Sequence, residues 1–196
     1  MMEYPEFAEI DGVQYKINTD YRVALNCFDA IEDENLNDIS RAFAIITLLF
    51  GYKNEETGEI EGVPDNTNEA LRIADKYLRC GNENVSTSNT KKDMDFNYDM
   101  KYIKASFLSD YGIDLDEVEH MHYWKFCDLI GGLTEQSVLS KVRDLRNTDL
   151  NDYKDAKIRS KLQIAMKNVE LPHKKYKATD EDIEFLKSLG IELERR

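Results

Sequence analysis

The sequence predicts a mainly α fold, a multi-helix bundle of about seven helices with a small N-terminal β-hairpin. Two patterns carry this expectation. Apolar residues recur at three- and four-residue spacing in segments closed by glycine or polar breaks. Strict alternation marks the start, where Phe7–Ile10 and Val13–Ile17 flank Asp11-Gly12. Asp-Gly at that position favours a type I′ turn, because glycine accepts positive φ at no steric cost.

The helices follow in order. Asn18, Thr19 and Asp20 offer capping side chains, and Tyr21, Ala24, Leu25, Phe28 and Ile31 then keep helical register, so a helix is expected over about 20–32. Asp38 is read as the cap of a second, over about 39–50. That segment is apolar nearly all round, which places it at the centre of the core, and Gly51 ends it. Residues 52–66 read as a loop with a short hairpin around Thr57-Gly58. Thr67 is read as the cap of a third helix, about 68–80, with Leu71, Ala74, Tyr77 and Leu78 as its apolar stripe and Gly81 after its end.

Beyond it the expected helices run from Asp99 to Tyr111, closed by Gly112; from about 115 to 130, capped by Asp114; from about 135 to 146, opened by Thr134; and from about 150 to 169, stopping before Pro172. Thr179–Asp182 opens a last one that reaches Leu189. In the middle of the second half, Phe107, Trp124 and Phe126 are expected in the core. The organisation is residues 1–81 as hairpin plus helices, 82–92 as a mobile linker of Ser, Thr and Asn, 93–178 as a helical core region and 179–196 as a C-terminal helix, one domain overall.

Composition narrows the function classes. The chain has 196 residues, with 39 acidic against 26 basic, a net charge of −13. Its pI near 4.7 argues against a general nucleic-acid binder, since phosphate repels such a surface. The longest apolar stretch, Ala42–Phe50, is too short to span a bilayer. Met1–Glu6 has neither a basic nor an apolar leader region, so no secretory signal is expected. Cys27, Cys80 and Cys127 are odd in number and far apart, which suits reduced cytosolic thiols. No P-loop, HExxH, CxxC or GxGxxG pattern occurs.

Residues 95–133 carry a resemblance. The run from Asp99 through Tyr102-Ile103, Phe107 and Tyr111-Gly112-Ile113-Asp114-Leu115, then His122–Phe126 and Gly131-Gly132-Leu133, resembles the tail-region proteins of siphophages of Gram-positive hosts, of the gene-product-fifteen type. Ile17–Arg22 is similar to the usual start of that family, and the likeness covers about residues 4–177. Tyr123 stands where the family pattern has the first tryptophan of an aromatic pair. The resemblance implies a non-enzymatic tail assembly chaperone, encoded beside the tape-measure gene and acting in the host cytoplasm. Its implied partners are the tape-measure protein, which it would solubilise, and the tail tube protein. Self-association is left open, and no nucleic acid, membrane, small-molecule substrate, metal or cofactor is expected. Helix-in-groove contact with aromatic anchors is the natural mode, and Tyr102, Tyr111, Tyr123 and Trp124 are the candidate anchors, chosen as large side chains near the resembling segment. The alternatives are a structural tail component retained in the virion and a small metal-dependent enzyme.

Sharper chemistry meets ordinary explanations. His120 and His122 lie two apart, so on a helix they point to different sides and cannot share an ion. Glu117 with His120, or Glu119 with His122, supplies only two ligands, with Cys127 nearby and His173 the only other histidine. Cys27 and Cys127 read as small core residues rather than nucleophiles. Residues 141–177 hold 11 basic and 5 acidic side chains, against 9 basic and 20 acidic in residues 1–98. That opposition reads better as charge compensation within or between protomers than as a nucleic-acid patch.

Overall fold

The computed structural model describes residues 4–82 and 92–172. The expected C-terminal helix over 179–196 lies outside these residues, as does all but the two ends of the expected linker over 82–92. Among the described residues the chain is mostly helical, with seven α-helices and a small N-terminal hairpin, and it divides into two compact units, 4–82 and 92–172.

In the first unit, β1 (Phe7–Ile10) and β2 (Val13–Lys16) pair antiparallel with Ile10 opposite Val13. The turn between them has φ of 51° at Asp11 and 77° at Gly12, the paired positive values of a type I′ turn. Three helices follow: α1 (Tyr21–Glu32), α2 (Asp38–Phe50) and α3 (Thr67–Leu78). Between α2 and α3, β3 (Tyr52–Lys53) and β4 (Ile60–Glu61) form the short hairpin expected around Thr57-Gly58. Two caps sit one residue earlier than the sequence reading placed them. Asn37 rather than Asp38 accepts the N–H of Ser40 at 2.8 Å, and Asn66 rather than Thr67 accepts that of Glu69 at 3.2 Å. Asparagine is among the best residues at this position because its side-chain oxygen accepts the free N–H, and Asn66 also donates its amide to both carboxylate oxygens of Asp11 at 3.1 and 2.9 Å, tying α3 to the hairpin turn.

Two further side chains organise this unit. Asn18 donates its N–H to Leu49 O, and its side-chain amide to Leu48 O and Gly51 O, all at 2.8 Å. It thereby satisfies three carbonyls around the end of α2, which no helical partner can reach. Arg41 does the same at the end of α1, donating to Ala30 O, Asp33 O and Leu36 O while pairing with Asp38 at 2.6 Å. Ile45, Ile46, Leu49 and Phe50 of α2 are buried, as expected of a central helix. Its first two turns are not. Ile39 is 74% exposed and Phe43 61%, so the stripe that is buried at Ile46 and Phe50 continues onto open surface at its N-terminal end.

The second unit holds α4 (Phe96–Tyr111), α5 (Tyr123–Gly131), α6 (Val138–Asn147) and α7 (Ala156–Asn168). Its core contains Phe107 against Phe126, ring centres 5.4 Å apart, with Phe96 6.1 Å from Phe126. Trp124, expected with them, is half-buried.

Four helix boundaries differ from expectation. The helix read over 115–130 exists only from Tyr123. Asp114 accepts the N–H of Asp116 at 2.9 Å and caps one turn over 115–117, after which the chain runs irregularly to His122. Leu115 and Met121 are both buried, so the three-residue spacing that suggested a helix is met by a loop anchored at each end. The helix read over 135–146 starts at Val138, because Ser137 caps it and Thr134 is engaged elsewhere. The helix read over 150–169 is divided into a 3₁₀ turn, Leu150–Asp152, and α7. Asp149 and Asp155 each cap their own segment, and two caps six residues apart draw the backbone out of one continuous helix. Finally, α4 begins at Phe96, a turn before the expected Asp99.

Candidate functional site

The longest helix among the described residues, α4, is apolar on two opposite sides. Its start is fixed by Asp95, whose carboxylate accepts the N–H groups of Asn97 and Tyr98 at 3.1 and 3.0 Å, while Asp99 reaches back to accept the N–H of Asp95 at 3.0 Å. Its end is fixed by Gly112 in the left-handed conformation, φ 67°, whose N–H reaches Leu108 O.

The inner side carries Asp99, Ile103, Ser106 and Phe107, all fully buried. Each polar member is satisfied. Arg146 of α6 grips the Asp99 carboxylate with two N–H groups at 2.6 and 2.7 Å, and gives its remaining bonds to Asp93 O and Val169 O. The Asp99 carboxylate beside it holds the guanidinium above its ordinary pKa. Ser106 Oγ accepts the N–H of Leu139 at 3.0 Å, at the first turn of α6 where no helical carbonyl is available. At the other end of α4, Asp110 accepts both the N–H and the hydroxyl of Thr134 at 2.9 Å, which is why Thr134 does not open α6. These two bonds from Thr134 hold the Asp110 carboxyl below its ordinary range.

The outer side presents Tyr98, Tyr102, Ala105 and Leu108, at intervals of four, three and three residues. Leu108 is 55% exposed and Tyr98 41%; Ala105 is exposed and Tyr102 half-buried. Lys101 lies between the two tyrosine rings, its ammonium 4.8 Å from the centre of Tyr102 and 5.9 Å from that of Tyr98. From Tyr98 to Leu108 the stripe is about 15 Å long at the helical rise of 1.5 Å per residue. Spacing of this kind is how one helix presents itself to another.

The four aromatic residues singled out from the sequence do not form one surface. Tyr102 is on this outer stripe. Tyr111 packs edge-on against Phe107, with centres 5.7 Å apart, and donates its hydroxyl to Leu129 O at 2.8 Å. Tyr123 is buried, and Trp124 is half-buried in the first turn of α5. Tyr98, Lys101 and Leu108 were missed. Their signal is in the sequence: apolar side chains in α4 fill both the row of Ile103 and Phe107 and the row of Tyr98, Tyr102 and Leu108, more than one buried face needs.

The histidine pair sits differently from the helical reading. His120 is exposed in the irregular stretch, and His122 is the cap of α5, its Nδ1 accepting the N–H of Trp124 at 3.1 Å. Among the described residues no three His, Cys, Asp or Glu side chains come together as metal ligands do. Cys27 is fully buried, which pushes its thiol up to about 12 and keeps it protonated at neutral pH. No helix among the described residues is long and apolar enough to cross a membrane.

The family model described as bacteriophage Gp15 protein matches residues 3–171, a span that takes in α1 to α7. The chain belongs to the Gp15 family of bacteriophage proteins. No curated protein and no solved structure matches it. As a Gp15 protein it is a phage protein, and α4, with its buried inner side and its open outer side, falls wholly within the family region.

Proposed function

We propose that this Gp15-family protein is a tail assembly chaperone. It binds the tape-measure protein in the host cytoplasm, keeps that protein's long apolar helices soluble, helps recruit tail tube subunits, and leaves before the particle is complete. The observation that supports this reading is the second apolar face of α4, with Tyr98 and Leu108 exposed. A helix apolar on two sides fits between two layers. Here α6 supplies one, through Arg146 and Leu139, and an apolar helix of the partner supplies the other. Tyr98 and Tyr102 give large contact area at little cost in side-chain entropy, and Leu108 gives the apolar end of the stripe. The net charge of −13 works with this, since an acidic surface resists precipitation of a complex whose partner is apolar.

Co-expression with the tape-measure protein tests the reading. The wild-type chain should raise the soluble fraction of the tape-measure protein, and Leu108→Asp with Tyr98→Ser should lose that effect while folding normally. A tape-measure protein that stays insoluble with the wild type, or is equally soluble with the variant, contradicts it. A structural tail component would also present an apolar face. It would persist in purified particles, which a chaperone does not.

A further inference from the structure

We infer that this protein associates head to tail with copies of itself, the basic outer side of α7 of one copy docking on the acid-rimmed, exposed first two turns of α2 of the next. The surfaces involved are separate from the outer stripe of α4, so the inference goes beyond the tape-measure reading and does not depend on it.

The α7 helix is the less embedded half of the match. None of its residues is buried. Leu162, Ala165, Met166 and Val169 are half-buried along one side. On the other side Lys157, Lys161 and Ile164 follow one another at i, i+4, i+7, with Ser160 and Lys167 beside them, all exposed. Ile164 is 62% exposed in the middle of this basic row. Residues 156–168 carry four basic side chains and no acidic one.

The complementary half is at the start of α2. Ile39 and Phe43 are one turn apart on the same side and open to solvent. The chain entering this helix is Glu32-Asp33-Glu34, with Glu34 exposed. The unit that contains it has 16 acidic and 7 basic side chains over residues 4–82, and Arg41, the nearest cation in sequence, offsets Asp38 in an ion pair, which leaves the acidic run before the helix without a cation beside it in sequence. One face is therefore apolar with an acidic rim and the other basic with an apolar centre. Complementary potentials fix which surfaces meet and in what register.

The occupant is a second copy because both halves belong to this chain and their charges are complementary. Two different patches meeting make a heterologous contact, which joins copies into chains or rings rather than into a closed two-fold dimer. The faces are short. At 1.5 Å per residue α7 is about 20 Å long, so the contact falls in the small class of interfaces, below about 1,200 Å², that are weak and transient. Association should then appear only at high protein concentration, and it should weaken with salt as the Debye length falls from about 10 Å at 0.1 M to about 3 Å at 1 M.

Sedimentation equilibrium of the full chain tests this with two variants, Lys161→Glu/Ile164→Asp on α7 and Ile39→Lys/Phe43→Lys on α2. The wild type should associate in a concentration- and salt-dependent way. Each variant alone should associate at least about tenfold more weakly, a change that corresponds to about 1.4 kcal/mol. An equimolar mixture of the two should form a one-to-one dimer and stop there, because it retains one intact α2 face and one intact α7 face. Where a reversal lowers the melting temperature, Lys161→Gln and Phe43→Ser replace it in the same design. A wild type that stays monomeric throughout overturns the inference. So does a variant that associates as the wild type does, or a mixture that forms no dimer, which would place the contact on a two-fold, like-to-like surface instead.

Discussion

Arg146 and Asp99 form a fully buried, two-pronged ion pair that joins α6 to the first turn of α4, with N–O distances of 2.6 and 2.7 Å. The pair is not isolated. Asp99 also accepts the N–H of Asp95, and Arg146 also donates to Asp93 O and Val169 O, so one guanidinium ties together the entry to α4, the body of α6 and the end of α7. A buried charge is costly unless its partner and its remaining hydrogen bonds are all supplied, and here they are. Removing one member leaves the other charge uncompensated. Asp99→Ala should therefore lower stability by about 3–5 kcal/mol. The double variant Asp99→Leu/Arg146→Met should lose less than the sum of its two singles. Urea unfolding of the four proteins measures this, and additive losses would mean that the two side chains act separately.

The aromatic core ranks its members by burial. Phe126→Ala empties a fully buried position and should cost about 3–5 kcal/mol. Trp124→Ala should cost less, although tryptophan is the larger side chain, because its ring is half-buried. Thermal unfolding of both variants decides it. A Trp124 variant that loses more than the Phe126 variant would put the indole at the centre of the core.

Asn18 closes the end of α2 with its backbone N–H and both N–H groups of its side-chain amide. Asn18→Ala removes the two side-chain bonds and leaves Leu48 O and Gly51 O to find other donors. A loss of about 1 kcal/mol is expected, the ordinary net worth of such hydrogen bonds at part-buried carbonyls. Asn18→Asp should fail to rescue it, because a carboxylate cannot donate to a carbonyl. Rescue by aspartate would show that the position needs only a polar group.

The clasp between Asp110 and Thr134 sets a pH dependence. Its hydrogen bonds lower the folded-state pKa of Asp110, so the stability it contributes is present above the ordinary aspartate pKa, near 3.9, and is lost as pH falls through the lowered value. Stability differences between wild type and Asp110→Asn should accordingly shrink below about pH 4 and vanish in stronger acid. A difference that grows on acidification would reverse the sign of the linkage.

The sequence made the regular features legible where one side chain has one task. Asp20 caps α1, Asp11-Gly12 makes a type I′ turn and Gly112 ends α4, as their chemistry dictates. Prediction failed where a capping-type residue was recruited over distance. Thr134 looks like a cap but answers to Asp110, 24 residues away. Asp114 caps a turn rather than a helix, because Leu115 and Met121 are drawn into the core from a loop. The outer stripe of α4 was half visible. Tyr102 stood out as an aromatic residue near the family motif, whereas Tyr98 and Leu108 become interesting only once Ile103 and Phe107 are known to face the other way. Periodicity marks a face as apolar, but which of two apolar faces the fold will cover depends on α6 and on the Arg146–Asp99 bridge.

The central claim is that the outer face of α4 receives a helix of the tape-measure protein. The most direct test is a titration of soluble tape-measure fragments into the wild-type chain and into Leu108→Asp, with the melting temperature of each recorded alongside. Because Leu108 is more than half exposed, the variant should keep the wild-type melting temperature. The account predicts that it binds the fragments at least about tenfold more weakly, as burying an unpaired carboxylate in place of an apolar side chain requires. Equal binding by the two proteins at equal stability would contradict it.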